Sequence, residues 1–342
     1  MTTPSARRLS LMSAICAAVL LAAGSASAAG VALTGVNIAG AEFKSAQLPG
    51  RPNFDYVYPN AQEVAYFAGK GVNIFRVPVL WERLQPALNA PLDRAELKRL
   101  QDTVSLMERS GASVIIDIHN FGRYRGGVLG GAGVPLPAFG DLWSRLAITF
   151  GTDDKVIFGL MNEPAAMTPT KVRDAANLAL ASIRGTGARN LVLVPGAGWS
   201  GAHDFVTVSG TVLSDIRDPA NRFAFEAHQY LDVDNSGTHW TCRDSKAAKA
   251  TLVKMTAWLR ARRAKGFLGE FGVADNPQCL DSLSAMLTYM NENADVWQGW
   301  TYWAAGAWWG DYPMSIEPKA GVDRGQMKVL SRFLVKAPAS GK

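Results

Sequence analysis

The sequence predicts an α/β chain folded as a single (β/α)8 barrel. Eight short apolar runs alternate with amphipathic stretches, the pattern of parallel strands covered by helices. The runs end in polar or aromatic residues that a buried strand interior would not tolerate, and two of those ends carry Glu163 and Glu270. A parallel barrel keeps its chemistry at that C-terminal face. An open doubly wound sheet gives the same alternation, but it normally carries a phosphate loop or dinucleotide fingerprint, and neither is present.

In chain order, the first 29 residues read as an export leader: Arg7 and Arg8, an apolar run from Leu9 to Leu21, then Ala26-Ser27-Ala28 with small residues where signal peptidase cuts. That run is short for a membrane span, and no later stretch reaches the ~20 apolar residues a span needs. The reading is an exported, soluble protein, secreted or periplasmic, whose one domain covers 30–342. Strands are expected near 31–38, 73–79, 112–118, 156–161, 191–195, 223–229, 266–271 and 296–303. Helices are clearest at 92–110, 170–185, 245–265, 277–293 and 324–335, with Asp93 and Thr170 as N-caps and Gly111 and Gly266 as stops. The long stretches 120–140 and 231–245 both follow a strand, which places them at the catalytic face.

The net charge of +6 falls to +4 without Arg7 and Arg8, because 33 basic residues then face 29 acidic ones. This mild surplus is spread over helix faces and implies neither nucleic acid nor a membrane surface as partner. Cys16 leaves with the leader, so Cys242 and Cys279 remain, and an exported chain with two cysteines more often pairs them than leaves both free.

The strand ends read Phe75-Arg76-Val77-Pro78, Asp117-Ile118-His119-Asn120, Asn162-Glu163, Ala227-His228-Gln229-Tyr230, Glu270 and Trp300-Thr301-Tyr302-Trp303. An Arg inside an apolar run needs a carboxylate, because an unpaired buried charge is costly. For Arg76 that partner is Glu270 or Glu163 on one reading and a structural Asp on the other. His119 and His228 show no third ligand at recognisable spacing, so a metal is not expected. Among ten tryptophans, Trp199, Trp240, Trp303, Trp308 and Trp309 fall at the predicted rim, where indoles stack on pyranose faces. Trp81, Trp143, Trp258 and Trp297 read as core.

Together, in order and one per strand end, these motifs with Gly269-Glu270-Phe271-Gly272 and Leu160-Met161-Asn162-Glu163-Pro164 resemble the family 5 glycoside hydrolases. The likeness is to cellulase-type endoglucanases of the TIM-barrel fold, over essentially the whole mature length. It implies Glu163 as general acid and base, Glu270 as nucleophile, and Asn162 on the sugar 2-hydroxyl. It implies Arg76 and Tyr230 holding Glu270 ionised, His119 and His228 completing the hydrogen-bond network, and Trp303 as stacking floor. Asn37 is a further contributor. The segments 231–237 and 272–279 look like those of secreted relatives, which also favours the Cys242–Cys279 pair. The implied activity is retaining hydrolysis of internal β-1,4-glucosidic bonds by a monomer that needs no cofactor. A mannanase, xyloglucanase or mixed-linkage glucanase shares the same catalytic set. A non-catalytic sugar-binding barrel would have no need for both carboxylates, and a lyase would show a Schiff-base Lys or metal cluster.

Overall fold

The computed structural model describes Met1, Thr2 and residues 30–335, so the expected leader falls almost wholly outside the described residues. Among the described residues, ten strands occur in the order β1 Leu33–Ile38, β2 Ile74–Val79, β3 Ser113–Ile118, β4 Arg123–Tyr124, β5 Gly127–Val128, β6 Val156–Gly159, β7 Val192–Pro195, β8 Phe223–His228, β9 Gly266–Glu270 and β10 Trp297–Ala305. Eight of them close a parallel barrel in the order β1-β10-β9-β8-β7-β6-β3-β2, and β4 and β5 form a separate antiparallel hairpin. That hairpin sits inside the stretch 120–140, which the sequence reading left irregular.

Helices α1 Ala61–Gly69, α2 Trp81–Leu84, α3 Arg94–Arg109, α4 Leu136–Phe150, α5 Pro169–Gly185, α6 Ser245–Arg262, α7 Pro277–Glu292 and α8 Gly325–Leu330 lie between or after the strands. Asp93 caps α3, its side chain accepting from Glu96 N. Thr170 is not a cap. The cap of α5 is Thr168, because Pro169 takes the first helical position, where a missing N–H costs nothing. Gly266 does not stop α6 either: Arg263 turns left-handed at φ 52° and ends the helix, while Gly266 opens β9.

Strand alternation explains the core. Ile74, Ile115, Ile157, Leu193, Ala224 and Phe267 form one apolar cluster inside the barrel. Their neighbours Phe75, Val114, Ile116, Phe158, Val192, Phe225 and Leu268 belong to the larger cluster that packs against the helices. Two residues further along β2, β3 and β8 the inward side chains are Arg76, Asp117 and Glu226, and Asn37 of β1 pairs in register with Arg76; all four are buried. The barrel therefore carries an apolar floor and, above it, a buried charged tier. Gly269 makes room for that tier, since a Cβ there would stand 2.2 Å from Glu226 Oε1. The β8–β9 register shifts between Ala227 and His228, pairing His228 with Glu270. Cys242 and Cys279 are joined by a disulfide, which ties the loop after β8 to the first turn of α7.

Candidate active site

Glu270 is the last residue of β9, and Glu163 lies four residues beyond β6, held in the left-handed region at φ 38°. A non-glycine residue in that region stores strain, a common feature of functional sites. An oxygen of Glu163, one of Glu270 and a nitrogen of His228 lie within 4.8 Å of one another.

Arg76 is the hub beneath them. Its Nη1 donates to Glu270 Oε1 at 2.9 Å and to Asn37 Oδ1 at 2.9 Å. Its Nε donates to Glu226 Oε1 at 3.0 Å, its Nη2 to Asn162 Oδ1 at 3.0 Å, and Nη1 lies 3.1 Å from Asp117 Oδ2. Both sequence readings are thus realised at once, with Glu270 and a structural Asp sharing the guanidinium, while Glu163 is not among these partners. Asn37 is a strut rather than a wall of the cavity: its Nδ2 donates to the carbonyls of Gly269, Thr301 and Tyr302 at 2.9, 3.1 and 3.2 Å.

The two carboxyls are tuned apart. Burial alone would raise Glu270, but the charges of His228 and Arg76 and the Tyr230 hydroxyl, which donates to Oε2 at 2.8 Å, hold it below its ordinary value. Burial raises Glu163 and is the largest cause; the His228 contact at 2.7 Å opposes it and the Glu270 charge adds to it. Desolvation therefore outweighs the Glu270 charge. His228 is pushed up to about 10, since Glu270, Glu163 and Glu226 together overcome its burial.

His119 bonds Asp117 through Nδ1 at 2.7 Å, and its Nε2 faces Asn162 Nδ2 at 3.3 Å. Because Asn162 Oδ1 is taken by Arg76, its amide N–H points at the ring, and Nε2 must accept. Burial opposes a charged His119, Asp117 favours it, and the net is upward. The Asn162 contact nonetheless fits the neutral ring with its proton on Nδ1. The imidazole also stacks on Trp303, with centroids 5.4 Å apart and planes at 11°.

These groups open into a cavity of about 560 Å3. Of the expected residues, His119, Asn162, Glu163, Trp199, His228, Tyr230, Glu270 and Trp303 line it, whereas Arg76 and Asn37 lie behind the wall. Trp240 is exposed but does not line it, and neither do Trp308 and Trp309; Trp309 packs edge-on against Trp303. Trp81, Trp143 and Trp297 are fully buried, and Trp258 packs on Phe205 and Phe225. The stretch 231–245, expected at this face, supplies residues 234–238 of the lining, whereas the sequence reading missed Phe121, His203 and Tyr312 there and Glu226 beneath. Phe121 immediately follows His119-Asn120 and meets Trp199 edge-on at 6.0 Å, so its position past a strand end was the available signal.

Two groups have the donors for a cation among the described residues: Glu163, His228 and Glu270, and the loop trio Asp232, Asp234 and His239. Neither group joins His119 to His228, the pair for which the sequence offered no third ligand. In the first group, however, the Arg76 guanidinium already occupies Glu270, and a fixed cation there opposes a divalent one.

The chain matches the cellulase (glycosyl hydrolase family 5) family model over residues 36–306. It is 39% identical over 289 residues to Endoglucanase gh5-1 of Neurospora crassa, covering 84% of this chain and 73% of that protein. It superposes with a TM-score of 0.87 on XacCel5A in complex with cellopentaose, at 47% identity, covering 89% of this chain and 99% of that one. The endo-beta-1,4-glucanase Xac0029 from Xanthomonas axonopodis pv. citri gives the same TM-score of 0.87 at 47% identity, with 89% and 99% covered. With the barrel, the carboxyl pair and these likenesses in agreement, the chain belongs to glycoside hydrolase family 5.

Proposed function

We propose that this protein is a retaining endo-β-1,4-glucanase acting on soluble or amorphous cellulose. The observation that carries the mechanism is the carboxyl pair: oxygens of Glu163 and Glu270 within 4.8 Å, one group raised and the other lowered in pKa. Retaining enzymes hold their carboxyls roughly 5–5.5 Å apart, whereas inverting ones leave about 6.5–9.5 Å for a water. Relatives printed as endoglucanases, and a neighbour solved with cellopentaose, support β-1,4-glucan as the substrate.

In this reading ionised Glu270 attacks the anomeric carbon as protonated Glu163 gives its proton to the leaving oxygen. The sugar is now an ester on Glu270. Glu163, left as a carboxylate, removes a proton from water, which attacks the same carbon from the vacated face and returns Glu270. Trp303 supplies a stacking face under the reacting sugar and Asn162 an amide for its 2-hydroxyl. On this proposal the chain acts as a monomer. Residues 1–29 act as an export leader on this proposal.

Azide tests the roles. Glu270→Ala is expected to lose turnover on cellulose and to regain part of it with azide, giving an inverted glycosyl azide. Glu163→Ala is expected to give the retained product on an activated glycoside. Near-normal activity of Glu270→Ala would sink the assignment. Loss of viscosity and release of reducing ends on carboxymethylcellulose, with mannan, xyloglucan and xylan in parallel, tests the polymer; preference for another polymer keeps the mechanism and moves the specificity.

A further inference from the structure

We propose that Asp232 and Gly237 are positioning residues for Glu270, acting through Tyr230. The Asp232 side chain is fully buried in the loop after β8. Its Oδ1 accepts from Gly237 N at 3.2 Å, and its Oδ2 accepts from Thr238 N at 3.0 Å, His239 N at 3.1 Å and the Ser236 hydroxyl at 3.1 Å. Three successive amides around one carboxylate fold 234–238 into a strap that lines the cavity. Arg243 fastens its base, donating to the carbonyls of Asp232 at 3.1 Å and Val233 at 2.6 Å, directly after the disulfide-bonded Cys242.

The strap presses on one ring. Gly237 has φ +74°, and a Cβ there would stand 2.7 Å from Tyr230 Cδ1 and 2.8 Å from Cε1. Ala39, Trp303, Ala304 and Met314 pack with Tyr230 in the same cluster. A phenol confined in this way keeps its hydroxyl on Glu270 Oε2. Glycine at 237 thus serves two needs: a backbone that turns left-handed and a bare Cα against the tyrosine. His239 and Asp234 hold the outer side of the strap, with Nδ1 3.2 Å from Asp234 Oδ1, and both are exposed.

Gly237→Ala, Tyr230→Phe and their double mutant test this by NMR titration of 13C-labelled Glu270, assigned with Glu270→Gln. Glu270 is expected to titrate at higher pH in each single mutant, with no additional rise in the double. On cellulose, kcat is expected to fall about tenfold or more in each, from loss of a hydrogen bond to a charged group, again without compounding. An unchanged Glu270 titration in Gly237→Ala, or losses that multiply in the double mutant, would overturn the proposal. Asp232→Asn loosens the strap without adding bulk and carries the same test if Gly237→Ala does not fold. The kcat arm rests on the function proposed above. The NMR arm does not, so a chain inactive on every β-glucan that still shows the shared shift would sink that function and support the strap.

Discussion

The Arg76 guanidinium lies 2.9 Å from Glu270 Oε1, and both side chains are almost wholly removed from water. A buried pair of this kind is sensitive to losing one partner, because the survivor keeps its desolvation cost without compensation. Arg76→Ala strips a cation from Glu270, Glu226 and Asp117 together. Its expected cost is about 3–5 kcal/mol of stability, read from denaturant unfolding, with near-total loss of turnover. An unfolding midpoint equal to that of the wild type would refute the hub.

The opposite shifts of the two carboxyls set the pH profile. Glu270 must be ionised and titrates below 4.5, so kcat/KM rises through that region; Glu163 must be protonated and titrates above 4.5, so the rate falls beyond its raised pKa. A bell with an acidic optimum is expected. His228 lowers both groups, so His228→Asn is expected to move both limbs to higher pH. A shift of one limb alone would show that the imidazolium serves only one carboxyl.

Stability carries its own pH dependence, away from the site. Glu63, in the first turn of α1, is pushed up to about 7, by burial first and then by the Glu317 charge. A carboxyl raised in the folded state holds a proton that the unfolded chain has already released. Its stabilising share is complete below 4.5 and is lost as pH climbs to about 7. Glu63→Gln is expected to flatten that decline in melting temperature between pH 5 and pH 7, and an unaltered slope would exclude Glu63 as its source.

The disulfide closes 37 residues of sequence. Chain-entropy arguments put its worth at about 4 kcal/mol for a loop of that size. Replacing both cysteines by serine is expected to lower the thermal midpoint and to raise amide exchange first in the loop between β8 and α6. Exchange that rises uniformly over the barrel would contradict this local role.

Much of this molecule was legible from its residues, for reasons that also mark where reading stops. Short apolar runs alternating with amphipathic stretches, and ending in Glu or His, sufficed to place eight strands and seat Glu163, Glu270, His119 and His228 at one mouth. Reading failed where a local rule competes with a neighbour. Thr170 has the chemistry of a cap, but Pro169 beside it moves the cap to Thr168. Gly266 looks like a helix stop, but Arg263 adopts the left-handed turn first. Trp240 sits in the expected loop yet faces outward, since spacing fixes a residue's loop and not its direction. Glu226 went unnamed and Asp117 was read only as part of a strand-end motif, because nothing in a linear string shows three carboxylates converging on one arginine.

The ring closes only where β1 meets β10, and Asn37 bonds Gly269, Thr301 and Tyr302 across that seam, contacts up to 265 residues apart in sequence. Contacts so distant form late in folding. A chain with most of its helices in place but this seam still open would leave Arg76 on β2 and Glu270 on β9 near opposite edges of an open sheet, without the guanidinium that holds the carboxylate. During refolding, returning hydrolysis would therefore lag behind returning ellipticity, and turnover would act as a clock for the last pairing of the barrel.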